Sequence, residues 1–194
     1  MDKKYESLTI QNAFVLSKVM LNGRISKKLM EKLTENKIYK VSLDTNPWVK
    51  SVEGNEGIAV KLYMADLEQN IQDVELYVSD RDLFNRREAV YRFAEQCREV
   101  PDLRLQGSLQ RIFVCATADT IGTVKDEDLK AFLCYVMNSE DKRSNLVKML
   151  DDEVRRVKRN SVYAKEYRSR QQKKMEICQL EYARLQQGKK GNRK

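Results

Sequence analysis

Residues 57–65 (GIAVKLYMA) and 72–79 (QDVELYVS) each alternate apolar and polar side chains, and the register that aligns their apolar positions sets Lys61 opposite Glu75. A carboxylate on a strand, joined by a second acid on the neighbouring strand, is one way to hold Mg²⁺ against a scissile phosphate. The ion polarises the phosphate and activates water, and a polar residue two positions further on shares the face and orients that water. Glu75 stands on such a face, with Tyr77 two positions beyond it and Asp73 two positions before it. Lys61 brings a positive charge to the place where the second acid is needed. Two readings follow. Lys61 is a phosphate clamp beside a single metal ligand, Glu75, or the two form a cross-strand ion pair worth about 0.2–1 kcal/mol, which is the plainer account. Asp66 suits turn solvation, and Asp73 is the better candidate for a second metal ligand.

The elements that must position these residues can be read from periodicity. Ile10, Phe14, Leu16 and Leu21 predict a helix from about Thr9, stopped by Asn22-Gly23, and Ile25, Leu29 and Leu33 predict a second that ends at Asn36. Ile38–Leu43 alternates as a strand that Asn46-Pro47 breaks, Trp48–Glu56 reads as a loop, and the hairpin turns through Asp66–Asn70. AVYRFAEQC suits helix or strand, and strand is expected over 89–96, whereas RIFVCAT (111–117) is a short buried strand. Thr123 and Asp126 suit a capping box before a helix marked by Leu129, Phe132, Leu133 and Val136. Leu146, Leu150, Val154 and Val157 mark the next helix, and a long polar helix follows Asn160 with a thin seam of Met175, Cys178, Tyr182 and Leu185. Helices at both ends of a small sheet predict an α+β fold, or α/β with a mixed sheet. The expected organisation is a domain over 1–158 and a basic helix with a frayed tail over 159–194.

Composition removes several classes of chemistry. The chain of 194 residues contains no histidine, which excludes Ser-His-Asp and Cys-His nucleophilic sites and every His-containing zinc site. Cys97, Cys115, Cys134 and Cys178 form no C-x-x-C pair and read as apolar thiols in a reducing compartment. Neither G-x-x-x-x-G-K-[ST] nor G-x-G-x-x-G occurs. No apolar run approaches the ~20 residues of a membrane span and the amino terminus lacks a secretory pattern, so a cytoplasmic protein is expected.

The net charge of +8 is unevenly placed. From Arg155 onward there are fourteen Lys and Arg against three Glu, or +11, which leaves −3 for residues 1–154. Arg155, Arg156, Lys158, Arg159, Lys165, Arg168, Arg170, Lys173 and Lys174 form a candidate nucleic-acid surface, since each neutralised phosphate releases counterions whatever the base sequence. A solvated helix explains the same charges equally well. Arg86 and Arg87 suit a surface turn.

Several segments, in order, look like one family. KKYESLTIQNAFVLSKVM, GIAVKLYMADLEQNIQDVEL, DLFNRREAVYRFAEQCREVPDLRL, LKAFLCYV and LVKMLDDEVRRVKRN resemble the PD-(D/E)XK nuclease family transposases, the recombination-promoting nuclease group, discontinuously over most of residues 1–167. Members typically carry G-V-R-x-D-V-x-V-x-D followed by Y-D-V-E-M-Q. The resemblance implies a restriction-endonuclease-like mixed sheet with flanking helices, and Mg²⁺-dependent DNA cleavage by an acid on the first hairpin strand with Glu-x-Gln on the second. Carried over by position, the strand acid falls on Lys61, the glutamate on Glu75, the glutamine on Tyr77 and the first-helix acid on Ala13. Glu75 alone keeps its type. A further stretch of the family pattern is missing, because Asp82-Leu83-Phe84 follows Glu75 almost at once. The resemblance thus implies a shortened relative that has lost cleavage, needs no cofactor, takes no small-molecule substrate, and keeps binding to DNA, to its own copies or to full-length homologues. Two alternatives stay open: an active endonuclease holding Mg²⁺ through Glu75 with Asp73 or Asp66, and a regulator or inhibitor that meets a protein partner through the carboxy-terminal helix.

Overall fold

The computed structural model describes residues 3–50, 58–98, 100, 108–138 and 144–191, with side chains described for all of these except 3, 45–50, 58, 178 and 181–191. Seven helices and five strands occur among them: α1 (Lys3–Glu6), α2 (Ala13–Met20), α3 (Gly23–Thr34), β1 (Ile38–Lys50), β2 (Ile58–Asp66), β3 (Ile71–Ser79), β4 (Val90–Ala94), β5 (Leu109–Cys115), α4 (Ala118–Ile121), α5 (Glu127–Val136), α6 (Asn145–Arg159) and α7 (Ser161–Gly191). The sheet runs β1-β2-β3-β5-β4, with β3 and β5 parallel and every other neighbour antiparallel. The fold is α+β: a five-stranded mixed sheet with flanking helices. Two compact units can be distinguished, Leu8–Val157 and a second made of Met1–Ser7 with Lys158–Lys194.

Local chemistry explains where the elements begin. The Asn22 side chain, expected to end the first helix, instead accepts hydrogen bonds from the Arg24 and Ile25 amides and starts α3, which closes on Glu35 in the left-handed region at φ 61°. The helix expected from Thr9 is α2 and begins at Ala13, because Asn12 caps it through the Phe14 amide and the Asn12 amide bonds back to the Thr9 carbonyl. Asp126 caps α5 alone, and the capping box belongs to α4, between Thr117 and Thr120; the Thr123 hydroxyl bonds to the Thr120 carbonyl.

Pro47 does not end its strand. β1 continues to Lys50 with an irregularity in its pairing between Leu43 and Trp48, so Trp48–Lys50 are strand rather than loop. β1 is an edge strand, where a missing amide proton and a bulge cost least. The remainder of that expected loop, 51–56, lies outside the described residues, as do 101–107 of the connection before β5. Strand is found over Val90–Ala94 within the expected 89–96, antiparallel to β5.

A smaller buried cluster of Ala59, Tyr77, Phe113 and Cys115 lies on one side of the sheet, and the main core of the larger unit lies on the other. Val60, Leu62, Val74, Leu76, Ile112 and Val114 are fully buried there, together with Val15 and Val19 of α2, Leu29 and Leu33 of α3, Phe132 and Leu133 of α5, and Val147 and Leu150 of α6. Alternation then sends Lys61, Tyr63, Asp73, Glu75, Tyr77, Arg111 and Phe113 to the opposite face. No helix among the described residues is long and apolar enough to cross a membrane.

Candidate functional site

The hairpin pairs as its pattern requires: Val60 faces Leu76, Lys61 faces Glu75 and Leu62 faces Val74. Slipping by one residue would have carried the charged set into the core. The Asp66 carboxylate accepts from the Asn70 side chain and from the amides of Asn70 and Glu68, which together hold its pKa below the ordinary carboxylate range. Asp66 is thereby a turn residue at the strand ends, while Asp73, Glu75 and Lys61 share one face of the sheet.

The expected Lys61–Glu75 ion pair is not what that face contains. Lys61 Nζ lies 3.2 Å from Asp73 Oδ2 and 3.5 Å from Asp44 Oδ2, whereas Glu75 Oε2 accepts a hydrogen bond from Arg111 Nε at 2.9 Å. Neighbouring strands provide the reason. The parallel register of β3 and β5 puts Arg111 directly beside Glu75, and β1 brings Asp44 within reach of the long Lys61 side chain. The Glu75 side chain is 10% exposed and that of Arg111 is 44% exposed, so the carboxylate is the deeply placed partner.

Hydroxyl groups complete the network. Tyr63 donates to Asp44 at 3.1 Å and Tyr77 donates to Glu75 at 3.4 Å. The Asp73 hydrogen bond is the largest influence on the Lys61 ammonium and raises its pKa above the ordinary value, against a smaller opposing effect of burial. Donation to Asp44 raises the Tyr63 hydroxyl in the same way.

The position two residues beyond Glu75 is filled by packing. The Tyr77 ring is buried and stacks on Phe113 at 4.3 Å with planes 11° apart, and Phe113 meets Phe84 and Phe93 edge-on at 5.0 and 5.6 Å. Leu83, Phe84 and Tyr91 pack against this cluster. Asp82 ties the covering segment down, accepting from the Tyr91 hydroxyl and from the amides of Phe84, Asn85 and Arg87. Burial pushes its carboxyl upward, but these four donors outweigh burial and hold it below the usual range. Arg86 and Arg87 belong to this tied turn, with Arg87 at φ 62°. Cys115, also in the cluster, is a buried thiol whose pKa burial pushes up, and Cys97 and Cys134 are half-buried.

A divalent ion does not fit these residues. Mg²⁺ requires several oxygens at about 2.0–2.1 Å, and here Lys61 stands between Asp44 and Asp73 while Arg111 engages Glu75. Ala13, where the family pattern places an acid, opens α2. Among the described residues, no three Asp, Glu or Cys side chains gather as a metal cluster.

The basic residues of the last two helices divide by partner. Arg155 pairs with Asp151 at 2.8 Å, Arg156 with the buried Glu153, and Arg170 with Glu166 at 2.7 Å. Lys158, Arg159, Lys165, Arg168, Lys173 and Lys174 make no ion pair among the described residues. Met175, the described member of the expected apolar seam, is 60% exposed.

Arg111 and Asp44 were not singled out from sequence. The alternation of RIFVCAT does set Arg111 and Phe113 apart from Ile112 and Val114, but nothing local says that this strand lies parallel to β3. Family models, curated proteins and solved structures compared with the chain give no match.

Proposed function

We propose that the chain is a non-cleaving relative of the PD-(D/E)XK nuclease family transposases that binds DNA through the basic surface of its last helices. The ancestry rests on the ordered segments quoted above and on Glu75 at the family's glutamate position. The observation that carries the loss of cleavage is the pairing of both resident cations: Lys61 with Asp44 and Asp73, and Arg111 with Glu75. Each carboxylate that would gather a metal already has its countercharge, and Tyr77 fills with a packed ring the place where a glutamine would orient water. Retained binding is supported by the concentration of charge, +11 from Arg155 onward, and by six unpaired cations on described backbone.

The test is direct. Purified chain is incubated with plasmid and short duplex DNA in Mg²⁺ or Mn²⁺, with Glu75→Ala alongside, and retention is followed by fluorescence anisotropy across a salt series. Salt-sensitive retention without strand breaks is expected; metal-dependent cutting that Glu75→Ala abolishes would overturn the loss of cleavage. The protein-partner reading has its own support in Met175, Ile177 and Leu180, all more than half exposed on α7. Sedimentation of the same sample separates it, since a partner helix without DNA affinity gives oligomers and no retention.

A further inference from the structure

We infer that the junction of α6 and α7 is a phosphate seat, and that its occupant is the sugar-phosphate backbone of a nucleic acid; the occupant rests on the DNA-binding reading above. A recess of about 400 Å³ lies there, lined by Lys158, Arg159, Ser161, Lys165 and Arg168, with Glu6 as its one acidic residue. None of the four cations makes an ion pair among the described residues. Their neighbours behave otherwise, because Arg155, Arg156 and Arg170 are each matched to a carboxylate one helical turn away. Four of the six cations that make no ion pair among the described residues therefore line the recess, and the other two, Lys173 and Lys174, lie beyond it.

Geometry suits an oxyanion in three ways. Ser161, Lys165 and Arg168 recur at i, i+4 and i+7, which places them on one stripe of α7 over about 10 Å of helix. Lys158 and Arg159 approach from the end of the preceding helix, so cations converge on the space from two directions. The recess also opens at the start of a 31-residue helix, whose Asn160 side chain accepts from the Val162 and Tyr163 amides. The positive end of that helix adds to the attraction. Arg168 Nε donates to the Ala164 carbonyl, which leaves its terminal nitrogens to reach a ligand. Four cations against one carboxylate favour an occupant carrying repeated negative charge.

The test compares two double variants with equal loss of charge, Lys165→Gln/Arg168→Gln in the recess and Lys173→Gln/Lys174→Gln beyond it. Binding of a fluorescein-labelled 20-base-pair duplex is measured by anisotropy over a salt series, and inorganic pyrophosphate is titrated separately by calorimetry. The recess variant is expected to lose about tenfold in affinity and to reduce the salt slope by about 2, and the outer variant to lose less than threefold. Equal losses in the two variants, or parental affinity in the recess variant, overturn the seat while the DNA-binding reading stands. Absence of duplex binding by the parent chain overturns that reading and the nucleic-acid occupant with it. Recess-dependent pyrophosphate binding without duplex binding overturns the occupant in favour of a free phosphate compound.

Discussion

Replacing Arg111 with methionine would keep most of the apolar stem and remove the cation beside Glu75. With Nε and Oε2 at 2.9 Å, the charge centres are about 4 Å apart, for which the Coulomb attraction is about 4 kcal/mol at an effective dielectric of about 20. Solvent reaches Arg111, 44% exposed, so screening and the hydration lost by both groups remove about half of that. The Tyr77 hydroxyl at 3.4 Å would then stand beside a carboxylate that is 10% exposed and has lost its countercharge. Arg111→Met should therefore cost about 2 kcal/mol, less than the 3–5 kcal/mol of a fully buried broken pair. Glu75→Gln/Arg111→Met, which removes the stranded charge as well, should recover more than half of the loss. Urea unfolding of the full chain followed by circular dichroism measures all four members of the cycle. A single-variant cost below about 0.5 kcal/mol, or strictly additive losses in the double variant, would refute the view that these two charges sustain each other.

Three other outcomes follow from the same structure. Asn22→Ala should destabilise by about 1–2 kcal/mol in urea unfolding, since the side chain caps α3 and its amide donates to the buried Glu153 at 3.2 Å; a neutral result would show that another group takes over the cap. The Asp82 carboxyl sits below its ordinary range in the fold, so its contribution is complete above about pH 4, the unfolded value, and is lost as pH falls through the lower folded value. Asp82→Asn should accordingly flatten the decline of thermal stability on acidification from pH 5 to 3, and an unchanged profile would contradict that account. Lys61→Asp should leave Asp44, Asp73 and Glu75 beside a new acid and create affinity for Mn²⁺, read as a metal-dependent rise in melting temperature that the parent chain lacks. The absence of any such rise would count against a latent metal position on this face.

How much was legible beforehand depended on the range of the interaction. The hairpin register followed from period-two patterning alone, because one residue of slippage would bury Lys61 and Glu75 and expose Val60 and Leu76. Leu146, Leu150, Val154 and Val157 likewise announced the buried face of α6. Reading Pro47 as a strand breaker went astray because the consequence of proline depends on whether the strand is at an edge, which is a property of the sheet. The exchange of partners at Lys61 has the same origin. Opposite charges in register suggested one pair, yet each side chain faces two strands, and Arg111 and Asp44 arrive from segments 36 and 17 residues away.

The amino-acid sequence by itself determined the hairpin and its register, the absence of histidine chemistry, the α+β class and the concentration of basic charge at the carboxy-terminal end. These depend on residue type and local periodicity, which act over a few positions. Only the tertiary structure decided which cation answers which carboxylate and which basic side chains on α6 and α7 stay unpaired. Electrostatic pairing falls off over a few ångströms of space, and strand order and helix junctions set those separations without regard to distance along the chain.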